Sequence, residues 1–524
     1  MSSPIRMTGL VSGLDTESIV SALVSNYSSK VDKYKKAQTK LSWTQDAWKE
    51  VNTEVYSLYT NVSNLRFSAA YNLKTSTVSD KTKVSVTTSN TTAIGTHTLE
   101  IKALAKSKYV TGSRIKSNSD DGKVTSTTKI SELLQGVSKD SSGEISYSDS
   151  PVFTDGGKIL VKSNTSDKGT YIDINKDMTV AGFVAKLNSA GVQANFDEAN
   201  QRIFISSAKS GEKNAFSIQA VDADGNEDSS GESYKAISAL GFGSLKTSID
   251  ASDAEILLDG ETYKAASNSI TVNGLTINAH GLTSDPVTIT TTTDVQGLYD
   301  KIKDFFTQYN NVINDLNSRY NADSANGYEP LTDEERTAMG ETTANKYEDK
   351  IKTSLLRRDS TLDGLMSAMS RSLSKSYTIN GKSYSLTDFG IHTLGYLNAA
   401  KNEEYAYHID GDSDDSTVSS KKDKLMQALT EDPDTVMEVM KQAASSLYSE
   451  LDTKMKSTTL SSAYTVYNDK EMTSEYNNYT SLIKEWQQKL EDQEDYYYQK
   501  FSKMESSLSQ LNSTQSSLSG YFSS

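Results

Sequence analysis

The chain has 524 residues, and at roughly 100–200 residues per domain it is predicted to form several domains. Apolar residues make up 35% of it, against roughly 45–50% in ordinary globular chains, which favours thin domains and long paired helices. The net charge of −15 repels nucleic-acid phosphate, so no nucleic-acid partner is expected, and the lack of cysteine excludes disulfides, thiolate metal sites and cysteine nucleophiles.

No cleaved secretory signal is expected at the N-terminal end. Arg6 is not followed by the roughly 7–15 apolar residues of a cleaved secretory signal. Nowhere does the sequence approach the roughly 18 consecutive apolar residues of a membrane span. We therefore expect no membrane insertion, and export from the cell would need another route.

A seven-residue repeat of apolar residues predicts a long first helix, which only Pro4 interrupts within the first 150 residues. A second apolar seam starts at Val24 and Val31, but Gln38 and Gln45 stand in it. The pattern predicts a coiled-coil strand that is weak in its middle unless partner chains cover it. The alternative for residues 48–65 is an amphipathic helix inside a bundle. The repeat consists of Val20, Tyr27, Tyr34, Leu41, Trp48, Val55 and Val62.

Residues 71–294 alternate polar and apolar side chains with a period of two, which is typical of half-buried antiparallel strands. Asp259-Gly260 and Asn273-Gly274 have the composition of hairpin turns. Thr179 precedes a short amphipathic helix and is placed to cap its first turn. The predicted strands are 158–162, 171–175, 202–206, 255–258, 269–272, 275–278 and 287–292.

Helical spacing returns over residues 295–460, where apolar side chains recur three and four residues apart. A β-hairpin interrupts them around Asn380-Gly381. The capping-box spacing of Thr332 and Glu335 predicts the start of a further helix. The predicted long helices are 295–320, 355–373 and 425–451, the last beginning or bending near Pro433.

The C-terminal segment mirrors the first helix with its own seven-residue apolar repeat. After Phe501 it is rich in Ser, Gln and Asn, and Ser and Asn are poor helix formers, so this tail is predicted to order only against a partner. The run 496–498 of three tyrosines cannot place every ring on one helix face. At least one ring is therefore expected to meet another chain. The predicted C-terminal assembly seam is Ile483, Trp486, Leu490, Tyr497, Phe501, Met504, Leu508, Leu511 and Leu518.

Helices at both ends and strands in the middle predict an α+β multidomain fold in which both termini form one discontinuous leg. The chain would run out through this coiled-coil leg and a helical bundle with a β-hairpin, build antiparallel β head domains, and return. The predicted domains are a labile N-terminal helix at 1–42, a leg bundle at 43–75 plus 295–465, a first head domain at 76–110 plus 232–294, a second head domain at 111–231, and a C-terminal coiled-coil segment at 466–524.

Motifs for chemistry are weak throughout. The acidic loop 410–415 has the alternation of a calcium site but lacks its glycine and its final glutamate. Phosphate-binding, hydrolase and zinc-protease motifs are absent, so neither an enzyme nor a metal or other cofactor is predicted. Arg357, Arg358 and Asp359 are a candidate intersubunit ion pair, with a solvated helix end as the alternative.

The opening MTGLVSGLDTESIV at residues 7–20, followed by a helical heptad, closely resembles the flagellar filament-cap family, the hook-associated cap proteins. Blocks at 95–106 and 268–290 agree in order, as do the C-terminal residues around Met504 and Leu511. The unit 178–207 is similar to the insertion module shared by flagellins and hook-associated proteins. The resemblance covers nearly the whole chain, except the loop 111–150.

This resemblance implies a secreted protein at the distal tip of the bacterial flagellar filament. Family members form homo-oligomeric caps, commonly of about five subunits, that help exported flagellin fold and insert, as filament elongation requires. The resemblance also implies type III export, a chaperone at the C-terminal segment and contact with hook–filament junction proteins. A second hypothesis from the residues is a host-surface or mucin glycan adhesin that binds through the head domains.

Overall fold

The computed structural model describes residues 11–522. The chain divides into two compact units. Residues 11–71 and 295–522 form a helical unit, and Asn72–Asp294 form a β unit. The predicted α+β multidomain fold, with helices from both termini and antiparallel sheets from the middle of the chain, is confirmed.

Ten α-helices lie within the described residues. They are α1 (Thr16–Leu65), α2 (Val180–Ser189), α3 (Glu232–Ala239), α4 (Val295–Tyr320), α5 (Asp333–Met339), α6 (Glu341–Thr353), α7 (Ser360–Leu373), α8 (Lys424–Glu431), α9 (Pro433–Lys454) and α10 (Asp469–Phe522). Short 3-10 turns are Ser68–Tyr71, Ile130–Glu132, Glu212–Asn214 and Leu386–Phe389.

Local capping residues determine where several helices begin. Asp15 caps α1 by accepting the Ser18 amide at 3.1 Å. The capping box that opens α5 is confirmed, because Thr332 accepts the Glu335 amide at 3.2 Å and Glu335 accepts the Thr332 amide at 2.8 Å. Pro433 is the first residue of α9, which confirms the predicted break between α8 and α9.

The helix predicted from residue 355 begins later, at Ser360, so that prediction was wrong at its N-terminal end. Arg358 adopts a left-handed backbone with φ of 56°, which no helix permits. Asp359 then caps α7 by accepting the amides of Thr361 at 2.8 Å and Leu362 at 3.0 Å.

The helical unit has a core where the C-terminal half of α1 packs with α4 and α9, and where α7 and α8 close the bundle. Val55 and Val62 of α1 and Leu447 of α9 are fully buried. Each such aliphatic side chain stabilises the bundle by about 1.5–3 kcal/mol relative to exposure. The alternative prediction for residues 48–65, a helix inside a bundle, describes this part of α1.

Twenty-three strands lie within the described residues, and most are short. They are β1 (Lys74–Val78), β2 (Val84–Thr88), β3 (Gly95–Ala103), β4 (Tyr109–Thr111), β5 (Lys116–Ser117), β6 (Leu133–Leu134), β7 (Gly136–Lys139), β8 (Ile145–Tyr147), β9 (Gly157–Lys162), β10 (Thr170–Ile174), β11 (Val192–Asp197), β12 (Arg202–Ser207), β13 (Ser217–Val221), β14 (Thr247–Ile249), β15 (Ala254–Leu258), β16 (Glu261–Ala265), β17 (Ser269–Val272), β18 (Leu275–Ala279), β19 (Val287–Thr293), β20 (Tyr377–Ile379), β21 (Lys382–Tyr384), β22 (Ile391–Thr393) and β23 (Tyr407–Ile409).

Two hydrophobic cores lie in the β unit. The first lies between a five-stranded sheet of order β1-β19-β3-β15-β16 and a three-stranded sheet of order β17-β18-β2. The second lies among the sheets β11-β12-β4-β14 and β10-β9-β13 with α2 and α3. Every pairing in these sheets is antiparallel, as predicted from the period-two pattern.

The cores do not divide at the residues predicted for the two head domains. Val110 and the segment 236–242 belong to the second core, although the predicted boundaries place them in the first head domain. The reason is that β4 pairs with β12 and β14, and α3 packs on β9. Helix α1 likewise continues without a break through the predicted boundary at 42/43.

The hairpin turns follow from their sequence. Asp259 and Gly260 have φ angles of 51° and 88°, as a tight turn between β15 and β16 requires. In the Asn273-Gly274 turn and in the Asn380-Gly381 turn between β20 and β21, both residues likewise have positive φ angles. The predicted turns are thus confirmed.

Candidate functional site

The candidate site is the pair of long helices α1 and α10 in the helical unit. The two helices run antiparallel, because contacts that descend along α1 ascend along the C-terminal segment. The ring contacts, given as centroid distances, are Trp48–Tyr467 at 5.6 Å, Tyr34–Tyr479 at 6.4 Å and Tyr27–Trp486 at 6.2 Å. Both termini therefore build one antiparallel leg within a single chain.

Trp486 of α10 contacts both an aromatic ring and cationic side chains. Its ring lies against Tyr27, and the ammonium groups of Lys30 and Lys489 lie 5.8 Å and 4.5 Å from its centroid. Such cation–π contacts are worth roughly 0.5–1 kcal/mol at exposed sites. The contact therefore favours the observed register.

Where Gln38 interrupts the apolar seam of α1, a hydrogen bond joins α1 to α10. The Gln38 amide donates to the hydroxyl of Thr480 at 2.7 Å. Helix α1 continues unbroken through Gln38 and Gln45, positions where weakness was predicted unless partner chains covered them. For Gln38 the cover comes from α10 of the same chain.

A carboxylate of α10 binds the segment that precedes α1. Glu505 of α10 accepts the backbone amides of Val11 at 2.8 Å and Ser12 at 3.2 Å, and it also accepts the Ser12 hydroxyl. The Ser12 hydroxyl is the main cause of a lowered pKa for Glu505, and the two amides add to it. The carboxylate therefore stays ionised and holds the chain just ahead of α1.

The two helices are unequally buried. On α1 the seam residues Val20, Leu41, Trp48, Val55 and Val62 are buried, while Tyr27 and Tyr34 are half-buried. No side chain of α10 described in the structure is fully buried. Its half-buried seam residues are Ile483, Trp486, Leu490, Tyr497, Phe501, Met504 and Leu508.

The last part of the α10 seam has still less cover. Leu511 is 63% exposed and Leu518 is 52% exposed. A seven-residue repeat places these leucines on the same helix face as Tyr497 and Met504. The result is an apolar stripe with helix α1 along part of it and solvent along the rest.

Tyr467 and Tyr479 were missed by the sequence analysis, although both contact α1. A signal for Tyr479 was present, because Met472, Tyr479 and Trp486 also follow one another at seven-residue steps. Tyr467 precedes α10, and nothing in the helical pattern marks it.

The candidate ion-pair residues 357–359 lie in the turn before α7. The Asp359 carboxylate caps this helix, and the Arg358 guanidinium lies 4.8 Å from the centroid of the Tyr320 ring. The intersubunit ion pair stays a prediction, with the carboxylate already engaged in a helix cap.

Carboxylates of the acidic loop 410–415 are paired with side chains of the protein itself. Lys303 of α4 donates to Asp412 and Asp414, each at 2.6 Å, and His392 contacts Asp410 at 2.9 Å. Burial acts to lower the pKa of Lys303, but the two carboxylates outweigh it and raise that pKa overall. Among residues 11–522, no group of three or more acidic or histidine side chains is arranged to hold a metal.

In the part of the chain that the structure describes, no helix combines the length and the apolar character needed to cross a membrane.

Two family models match this chain. The C-terminal model of flagellar hook-associated protein 2 matches residues 251–513, and the N-terminal model matches residues 12–108. The flagellar hook-associated protein 2 of Halalkalibacterium halodurans is 24% identical over 99% of this chain and 100% of that protein. The protein of the same name from Thermotoga maritima is 26% identical over 54% of this chain and 41% of its own length.

The chain is also similar to a solved structure of a flagellar cap protein. The D1-D2-D3 domains of the flagellar cap protein FliD from Escherichia coli superpose with a TM-score of 0.48 and 18% identity, over 83% of this chain and 99% of that one. The C-terminal family model alone matches half of the chain. The chain belongs to the flagellar hook-associated protein 2 family of flagellar cap proteins.

Proposed function

We propose that this protein caps the distal end of the flagellar filament as a homo-oligomer and helps exported flagellin subunits to fold and insert beneath it. Family membership supports the cap role. The observation that carries the mechanism is the one-sided cover of α10, whose seam includes Leu511 and Leu518, both more than half exposed.

The exposed apolar seam of α10 is the kind of surface that further helices cover in a coiled coil. In a coiled coil each apolar side chain inserts between four residues of a facing helix, and one neighbour covers only part of a stripe. Seams of further copies, or helices at the filament end, would complete the cover of α10. The pair α1–α10 would then be the leg by which each subunit holds the filament tip.

The weak packing of the end of α10 within a single chain would also permit passage through an export channel. Isolated helices gain most of their stability from packing, because helix nucleation is unfavourable. The segment after Phe501 has little packing within the chain and is rich in serine. A leg that is weakly held before assembly and stable afterwards would permit export, and its reversible contacts would let the cap shift as each flagellin arrives.

Further partners follow from the resemblance. These are flagellin, the hook–filament junction proteins and an export chaperone that holds the C-terminal segment. A secreted location at the filament tip is part of the same proposal. The relatives named above give no support to the glycan-adhesin alternative.

The test is complementation of a flagellated bacterium that lacks its own cap protein. The double variant Leu511→Ser and Leu518→Ser removes two exposed apolar side chains without opening a core, so the subunit should fold normally by circular dichroism. We expect shorter filaments and more unassembled flagellin in the medium. Deletion of residues 501–524 should abolish elongation.

The matched control is Ser509→Ala with Ser516→Ala, two exposed positions of the same helix. This control should support filaments of normal length. Filaments of normal length with the leucine double variant, or with the deletion, would contradict the proposed role of the seam.

A further inference from the structure

An exposed apolar loop lies between β22 and β23 of the helical unit. Tyr396 is 83% exposed and Leu397 is 91% exposed, the two highest values among the large hydrophobic side chains that the structure describes. The loop has a defined turn, because Gly395 has φ of 73° and its carbonyl accepts the amides of Asn398 at 3.2 Å and Ala399 at 3.0 Å. Residues 395–399 are called the finger.

The finger is anchored at the C-terminal end of α4. Asn321 donates to the side chain of Asn402 at 3.3 Å, and Asn317 donates to Glu404 at 2.5 Å. The end of α4 lies beside α1, since Arg319 pairs with Glu50 at 3.1 Å. The part of the loop that directly follows the finger therefore lies on the α4 side of α1, at about the level of Glu50.

A second exposed apolar surface lies elsewhere on the helical unit. Tyr56 of α1 and Tyr464 meet edge to face at 5.8 Å, and both rings are exposed. Tyr464 has φ of 63°, an unfavourable backbone for a bulky residue. Leu460 is also exposed and lines a neighbouring surface groove of about 610 Å³. Tyr56, Leu460 and Tyr464 are called the aromatic patch.

The finger and the aromatic patch lie on opposite sides of α1. At about 100° per residue, Glu50 and Asn61, which contact α4, lie within about 20° of one another. Asn52, which accepts the Val466 amide at 3.0 Å, and Tyr56 lie about 160° and about 120° from Glu50 around the helix. Along the axis the two surfaces differ by no more than about 15 Å.

Two different surfaces on opposite sides and at similar levels are what a head-to-tail contact needs in order to close a ring. Their charges are also complementary. Arg357 and Arg358 are exposed at the α4 end that carries the finger, since the Arg358 amide donates to the Tyr320 carbonyl at 3.1 Å. Glu471 and Glu475 are exposed along the groove beside Leu460. Lys470 also lines this groove, and its ammonium group donates to the Thr458 carbonyl at 3.1 Å.

We propose that the finger of one copy of this chain docks on the aromatic patch and adjoining groove of the next copy, with the two arginines facing the two glutamates. The proposal rests on the self-association already proposed and specifies its surface in the helical unit. Tyr and Arg are enriched among the residues that dominate binding energy, and opposite charges direct the partner into register.

The test uses single cysteines, which the natural chain lacks. Full-length Leu397→Cys and Leu460→Cys proteins are mixed under mild oxidation and run on a non-reducing gel. We expect a covalent dimer from the mixture. Leu397→Cys alone should give little dimer, because a head-to-tail contact does not bring two fingers together.

The matched control mixes Leu397→Cys with Thr430→Cys, an exposed position on α8. A similar dimer yield in this control, or no dimer with Leu460→Cys, would overturn the proposal. A strong dimer of Leu397→Cys with itself would do the same, since it indicates a two-fold contact. So would cross-linking of the finger to flagellin in place of a second copy.

A second measurement separates this interface from the terminal seam. The double variant Tyr396→Ser and Leu397→Ser should fold normally, because both side chains are almost fully exposed. We expect self-association at least ten-fold weaker than in the natural protein by analytical ultracentrifugation. Unchanged association would overturn the interface and leave the capping proposal standing. A natural protein that neither associates nor supports filament growth would overturn both.

Discussion

Glu505 shows how one residue links sequence positions almost five hundred residues apart. Its carboxylate accepts the Val11 and Ser12 amides and the Ser12 hydroxyl, and so holds the segment that leads into α1. A carboxylate has several acceptor sites and no donor, which suits it to three converging donors. A glutamine would accept through one oxygen and present a surplus donor with its amide nitrogen.

At this scale we predict that Glu505→Gln speeds amide hydrogen exchange at Val11 and Ser12 at neutral pH. The lowered pKa of Glu505 gives the sign of the pH dependence. Its contribution is present above the ordinary value of 4.5 and is lost as pH falls through the lower folded value. The variant and the natural protein should therefore converge in acid.

Glu491→Gln, at another exposed position of α10, is the control and should leave the exchange of both amides unchanged. Equal protection of the Glu505 variant and the natural protein at neutral pH would show that the carboxylate does not hold this segment.

At the scale of elements, the end of α3 depends on a glycine. The Phe242 amide donates to the Ile237 carbonyl at 2.8 Å, and Gly241 has φ of 84°, which together close the helix. A Cβ at this position would lie 2.5 Å from the Ser113 carbonyl oxygen. Gly260, with φ of 88°, has no atom within 4 Å of its Cβ position.

We predict that Gly241→Ala destabilises the β unit more than Gly260→Ala does. Both variants strain a left-handed backbone, which costs about 1–2 kcal/mol. Gly241→Ala adds a backbone clash, and overpacking of this kind costs about 1–3 kcal/mol more. Urea unfolding followed by circular dichroism measures the difference, and equal losses for the two variants would contradict it.

At the scale of the molecule, the two units have separate cores. The strands that begin and end the β unit are neighbours, since Lys74 of β1 pairs with Thr293 of β19. A segment with its own cores and adjacent ends is expected to fold on its own. The helical unit is discontinuous in sequence and needs both ends of the chain.

We therefore predict that the fragment 72–294 unfolds cooperatively, with the midpoint that the β unit shows in the full chain. Leu447→Ala should lower the unfolding free energy of the helical unit by about 2–5 kcal/mol, because it opens a cavity at a fully buried position of that unit. Calorimetry of the full chain should then show one transition shifted and the other unchanged.

Leu511→Ala is the control for this pair of transitions. Its side chain is mostly exposed, so the expected change in unfolding free energy is within about 0.5 kcal/mol. A fragment that stays unfolded, or a Leu447→Ala variant that shifts both transitions equally, would contradict the independence of the two units.

Local patterns in the sequence were enough for most elements. The strands and hairpin turns were predictable from alternation and from pairs such as Asn273-Gly274, because these residues adopt the required φ angles without neighbours. The caps by Thr179 and Thr332 were predictable for the same reason. The seven-residue repeats identified both terminal helices and one side of their seams.

Contacts between distant residues were decided by the tertiary structure. The period of α1 does not say that α10 of the same chain lies beside it, nor that Gln38 meets Thr480 there. The late start of α7 at Ser360 and the place of Val110 in the second core likewise depend on partners remote in sequence. Spacing along a chain specifies which face of an element is apolar, but what covers that face is settled only when the whole chain packs.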